Sequence, residues 1–145
     1  MKQLSDILFD PGKAVGEVLD RVDLGITTIL GTTSNSMARV GVQIIVPSLT
    51  HYPGRTKIEC KISADVECEG AATGAMDLYD YTAAAAIPNT EEAVTGGAWH
   101  NHLSANWFNL TSYQGKSISI RMKRVGGTGS NNIKIEGAAI IFKIS

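Results

Sequence analysis

Residues 56–68 read TKIECKISADVEC, and their alternation decides the fold class. Ile58, Cys60, Ile62, Ala64, Val66 and Cys68 fall on one face, with Lys57, Glu59, Lys61, Asp65 and Glu67 on the other. A period of two with one apolar and one charged side marks an antiparallel strand that faces a core on one side and water on the other. Outward from this strand, residues 38–46 place Val40, Val42, Ile44 and Val46 on one face. Further runs follow at 76–81, 107–110, 117–123 and 133–144, the last with a change of phase at Gly137 that predicts a β-bulge. Six to eight short strands in about 110 residues, separated by Gly, Pro, Asn, Ser and Thr clusters, form the pattern of an all-β sandwich.

The 145 residues, 43% apolar and 19% charged, suffice for one core and leave little room for two. Thirteen basic residues nearly cancel fourteen acidic ones, so no net positive field holds nucleic acid or an anionic membrane surface. The cluster Arg121, Lys123 and Arg124 reads as solvated charge at a strand end. Asp6 and Asp10 interrupt what would be the apolar core of a leader, and no 18 apolar residues run together, so a mature soluble protein without membrane insertion is expected. Cys60 and Cys68 lie on one strand, roughly 26 Å apart at about 3.3 Å per residue, too far for a disulfide. A chain reversal at 63–65 would bring them face to face, but no Gly, Pro or Asn stands there, and free buried thiols are the favoured reading.

Composition changes near residue 25. Asp10 and Pro11 supply an N-cap and a first-turn proline, and Val15, Val18, Leu19 and Val22 recur at helical spacing, which predicts a helix over 11–23. Leu4, Ile7 and Leu8 repeat that spacing over a shorter piece. Residues 1–24 are thus expected to form a short N-terminal helical arm and residues 25–145 the sandwich. The apolar stripe of the arm either packs on the sandwich itself or anchors the chain to another protein.

Residues 126–132, GGTGSNN, are expected to make a hairpin connection in which glycine and asparagine take positive φ. They are not a phosphate loop, which needs Gly-Lys-Ser/Thr leading into a helix. His100 and His102 share a side at i, i+2, but no third metal ligand is evident and His51 is remote in sequence. Asp77 with Asp80, or Glu91 with Glu92, lacks the nucleophile and pocket that acid/base catalysis requires. No catalytic, metal or cofactor site is therefore expected, and the chain reads as a non-enzyme. Residues 109–111 form a glycosylation sequon expected to be unused without a leader. Tyr79, Tyr81, Trp99, Trp107 and Tyr113 either stack on sugar rings or serve core and interface, and exposure decides between the two.

From Trp107 the chain reads WFNLTSYQGKSISIRMKRVGGTGSNNIKIEGAAIIFKIS, and from Met76 MDLYDYTAAAAIPNTEEAVTG. The first stretch resembles the closing strands of jelly-roll sandwiches in carbohydrate-binding modules and in virion accessory domains of tailed bacteriophages. The second is similar to the phage version. The resemblance covers about 70 residues at the level of pattern and carries no diagnostic motif. It implies a virion structural protein, a capsid decoration or cement protein or a head or tail fibre component. Such a protein would be assembled in the host cytoplasm, docked by its arm on a capsid or tail protein and self-associated as a homotrimer. The carbohydrate-binding likeness implies instead recognition of a host-surface or other glycan through exposed aromatics. Truncation of Ile62 tests the inward face of the deciding strand. Ile62→Ala is expected to cost roughly 2–5 kcal/mol in chemical denaturation and Lys61→Ala nearly nothing; equal costs would refute the assignment.

Overall fold

The computed structural model describes residues 17–145. Its strands are β1 (Val18–Asp23), β2 (Leu30–Thr32), β3 (Ala38–Ile45), β4 (Ile58–Cys68), β5 (Thr73–Asp80), β6 (Ala85–Ala86), β7 (Glu92–Val94), β8 (His100–Leu103), β9 (Phe108–Asn109), β10 (Ser117–Gly126) and β11 (Ile133–Ile144). Among the described residues they form two antiparallel sheets. The first runs β1-β11-β4-β8, with β2 also on β11 and β9 also on β4; the second runs β3-β10-β5-β6, with β7 also on β5. Taking β1/β2, β6/β7 and β8/β9 each as one interrupted strand leaves eight positions. Their order is first–eighth–third–sixth in one sheet and second–seventh–fourth–fifth in the other, which is the jelly-roll topology.

The deciding strand is β4, as read. Its six inward residues are at most 1% exposed, and they face Met76, Leu78, Ile118 and Ile120 of the second sheet within one apolar core. β11 pairs with it from Ile144↔Ile58 to Ile133↔Cys68, and the register slips between Ile135 and Gly137, where the phase change predicted a bulge. Cys60 and Cys68 are free and buried on that single strand, and burial pushes both thiols above their usual range.

Residues 18–23 are not helical. They form β1, paired antiparallel with β11 from Val18↔Ile144 to Asp23↔Ala139. The spacing i, i+4 is even, so it keeps Val18 and Val22 on one side of a strand as well as of a helix; Leu19 separates the two cases. Val18 and Val22 pack against the domain's own core, while Leu19 points away and is 62% exposed. The β-branched valines suit the pleated surface beside β11, and that pairing outweighs the helical pattern. Leu4, Ile7, Leu8 and Val15, with the rest of the proposed arm, lie outside the described residues.

Two other readings are corrected. Val40 of β3 and Val46 just after it are buried, but Val42 is 51% exposed. Gly41 sits at φ +72°, and a Cβ there would lie 2.5 Å from the Leu24 carbonyl oxygen, which accepts the Val42 N–H at 2.8 Å. This kink matches the slip in the β3–β10 register between Ile118 and Ile120 and breaks the alternation. Residues 126–132 do not close a hairpin, because β10 and β11 belong to different sheets. Gly127 and Gly129 do take positive φ, whereas Asn131 and Asn132 do not. Arg124 donates to the carbonyls of Gly129 and Asn131, both at 3.1 Å, and so holds this crossing.

A charge introduced on either side of β1 tests the strand. Val22→Asp is expected to destabilise the domain by about 2 kcal/mol or more in urea unfolding, and Leu19→Asp by less than about 0.5 kcal/mol. A helix would give both residues similar sensitivity.

Candidate binding surfaces

The five aromatic candidates separate by position. Tyr79 and Tyr81 lie on the outer face of the second sheet, where alternation along β5 aims Asp77 and Tyr79 outward opposite Arg121 and Ser119 of β10. Arg121 binds both carboxylate oxygens of Asp77, Nε to Oδ1 at 2.9 Å and Nη2 to Oδ2 at 2.5 Å, and its guanidinium lies 4.1 Å from the Tyr79 ring centre. Tyr81 meets Tyr79 edge to face with centroids 4.7 Å apart, and Arg39 stands 5.7 Å over Tyr81. The Asp77 carboxylate raises the Arg121 pKa, and burial raises that of Tyr81. These rings are engaged by cations and by each other, so a sugar would first have to displace Arg121. Tyr113 is half-buried and packs against the core.

Trp99 is 38% exposed beside β8. Trp107 precedes β9 on the same margin of the first sheet, with the Lys143 and Lys61 ammonium groups 4.3 and 5.3 Å from its ring centre. Glu59 accepts Lys143 at 2.9 Å and Lys57 at 2.7 Å. Burial raises the Glu59 pKa, but hydrogen bonds from Lys57 and Lys143 outweigh it and hold the carboxyl below its ordinary value. Beside the indole opens a cleft of about 320 Å³ lined by Pro88, Asn89, Thr90, Asn106, Trp107, Phe108 and Asn109. It joins the β9 margin of the first sheet to the turn between β6 and β7 of the second. Thr90 fixes that turn by accepting Leu78 N–H at 3.0 Å and donating to the Ile87 carbonyl at 2.8 Å, while Asn89 adopts φ +62°. Asn89 and Asn106 carried no periodic signal in the sequence. They become neighbours of Trp107 only when the sheets pack.

The remaining charged candidates have local roles. His102 Nε2 lies 3.2 Å from a Glu92 oxygen and ties β8 to β7 across the two sheets, whereas His100 Nδ1 contacts the Ala98 carbonyl at 2.8 Å. Among the described residues no three His, Cys, Asp or Glu side chains gather as metal ligands. Asp77 and Asp80 point to opposite faces of β5, and Asp80 accepts the N–H groups of Thr82 and Ala83. Of the basic cluster, Arg121 is committed to Asp77, Lys123 lies 3.4 Å from Glu91, and Arg124 holds backbone carbonyls. None of the three is a free cation for a phosphate.

Exposed apolar surface is unevenly spread. β1 and β2 share the outer side of β11, β3 is the margin of the second sheet, and the Val42 N–H bond to the Leu24 carbonyl joins these margins into one flank. Leu19, Ile29, Leu30, Val42 and Ile45 lie on it, five of the eight large exposed apolar side chains among the described residues, so apolar exposure concentrates there.

No family model matches the chain, and no curated protein sequence does. Solved structures match in fold. The subviral particle of infectious bursal disease virus VP2 superposes with TM-score 0.51 at 9% identity, over 88% of this chain and 32% of that one. The Gx strain of the same virus gives 0.53 at 8% identity, over 88% and 32%. The xylan-binding module CBM15 gives 0.50 at 12% identity, over 90% and 98%. The chain is a jelly roll. It spans about a third of the viral chains and nearly all of the xylan-binding module, and at these identities the likeness concerns the fold alone.

The Asp77–Arg121 pair distinguishes a structural face from an open one. Asp77 is nearly buried, so Arg121→Ala is expected to cost about 3 kcal/mol by leaving that carboxylate unpaired. Asp77→Leu combined with Arg121→Met should recover most of the loss in thermal or urea unfolding; a double variant no better than Arg121→Ala would refute this account.

Proposed function

We propose that the chain is a non-enzymatic structural protein of a virus particle, of the capsid-decoration or head or tail fibre kind, that assembles with copies of itself. The observation that carries this reading is the apolar flank of β1, β2 and β3. Val42 and Ile45, 51% and 63% exposed, lie on a strand whose outer margin has no partner strand among the described residues. Natural sandwiches protect such margins with charge, proline or a covering segment, because bare strand edges and apolar patches associate. A second copy of the chain covers this surface most simply, since identical copies bring matching apolar flanks to a symmetric assembly. The fold shared with viral capsid jelly rolls supports a place in a particle. The restriction to tailed phages, the three-fold assembly and a capsid or tail protein as further partner come from the resemblance in sequence.

Val18 and Val22 are half-buried against the domain's own core and so offer less surface for anchoring to a particle. Leu19 remains on the exposed flank, and Leu4, Ile7, Leu8 and Val15 are left as candidates for docking. Sedimentation velocity over a wide concentration range tests the assembly. The unmodified chain is expected to sediment as a trimer, and Val42→Asp with Ile45→Asp as a folded monomer with unchanged circular dichroism. A monomeric unmodified chain at every concentration, or a double variant that still assembles, would overturn the role of the flank.

A further inference from the structure

We infer that the cleft beside Trp107 binds an acidic saccharide, a sugar unit bearing a carboxylate. This goes beyond the structural role proposed above and does not depend on it. At about 320 Å³ the cleft falls at the small end of ligand sites, sufficient for one or two sugar units. Its lining suits sugars. Trp107 offers an aromatic wall, and Asn89, Asn106 and Asn109 project amides that both donate and accept, as vicinal hydroxyls do. Asn109 Oδ1 accepts the Thr111 N–H at 3.0 Å, which leaves its NH₂ group uncommitted. Within the described residues the Asn89 and Asn106 side chains make no hydrogen bond, so these three amides stand ready for a ligand.

The acidic preference follows from charge on the neighbouring outer face. Register places Lys61 and Glu59 of β4 and Lys143 of β11 outward, and Lys57 just precedes β4. Glu59 is the carboxylate that meets two of these ammonium groups. Glu59 takes up Lys57 and Lys143, whereas Lys61 has no ion-pair partner among the described residues and rests over the Trp107 ring. A carboxylate on a sugar stacked at Trp107 would meet Lys61 as its counter-charge, and the site would favour acidic over neutral sugars. Lys61 and Lys143 lie over Trp107 as Arg121 and Arg39 lie over Tyr79 and Tyr81, and what sets Trp107 apart is the cleft that it lines.

Titration of the full chain with sialyllactose and digalacturonate, against lactose and xylobiose as neutral probes, tests the proposal by ¹H–¹⁵N NMR shifts and tryptophan fluorescence. Saturable shifts are expected at the Trp107 indole and at the Asn89, Asn106 and Asn109 side-chain amides with at least one acidic sugar. Trp107→Ala and Asn106→Ala are each expected to weaken binding about tenfold. Lys61→Gln should reduce affinity for the acidic sugar about fivefold, remove its advantage over the neutral ones and flatten its salt dependence. Trp99→Phe should change none of these. Asn106 and Lys61 are surface positions, so their variants keep the test valid if Trp107→Ala fails to fold. No saturable shift with either acidic sugar, equal affinity for acidic and neutral sugars, or shifts unaffected by Asn106→Ala and Lys61→Gln would overturn the proposal. The sedimentation result is independent of all these outcomes.

Discussion

The antiparallel ladder between β4 and β11 is the constraint on which the other features depend. It joins two long strands distant in sequence, and its register decides at each position which side chain enters the core. Ile58, Ile62 and Val66 share the inner face with Ile144, Ile140 and Ile135, and these pairs fix the sheet against slippage, since a shift of one residue would send every apolar side chain to water. The same register builds the outer face. By setting Glu59 opposite Lys143, it forms an ion pair there and brings Lys143 and Lys61 beneath Trp107. The bulge at Glu136 and Gly137 lets β11 change partners along its free side, β1 over residues 139–144 and β2 over 133–135.

The legible part of the fold was the part in which one face is wet and the other dry. β4 and β11 announce themselves by alternation, and the phase change at Gly137 marked the bulge. β1 was misread because Val18 and Val22 satisfy both periods, and the residue that discriminates, Leu19, is apolar although exposed. β3 was misread because its register depends on Leu24, seventeen residues before Gly41, whose carbonyl occupies the space a side chain at 41 would need. The Gly-rich crossing resembled a hairpin because local sequence reports turn chemistry but not which sheet the next strand joins. Likewise, Trp107 stood out as a residue type, but Asn89 and Asn106 are ordinary loop letters until packing sets them beside the indole.

The two outer faces differ in how their charge is neutralised. On the second sheet Asp77, Arg121, Tyr79, Tyr81 and Arg39 form a closed set in which each group meets a partner within the set, and a partly buried bidentate pair leaves little to offer a ligand. On the first sheet Lys57 and Lys143 pair with Glu59, while Lys61, without an ion-pair partner among the described residues, lies with Lys143 over the indole. Cation and aromatic ring recur on both faces, so the pair alone is uninformative. What separates the faces is whether a carboxylate of the same chain already completes the set.

The apolar flank and the Trp107 cleft lie at opposite margins of the sandwich, and the topology requires this separation. β1, β2 and β3 occupy the first and second positions of the jelly roll and close one side; β6 to β9 occupy the fifth and sixth and close the other. The first side is joined by the backbone bond from Val42 to Leu24 and exposes aliphatic side chains. The second is joined by His102 and Glu92 and exposes amides, a tryptophan and lysines. Copies that meet through the first side would therefore leave the second directed outward, and each added copy would present another cleft. Weak single-site recognition would then gain strength from number, with an effective concentration set by the spacing of clefts within the assembly and not by tighter contacts in any one of them.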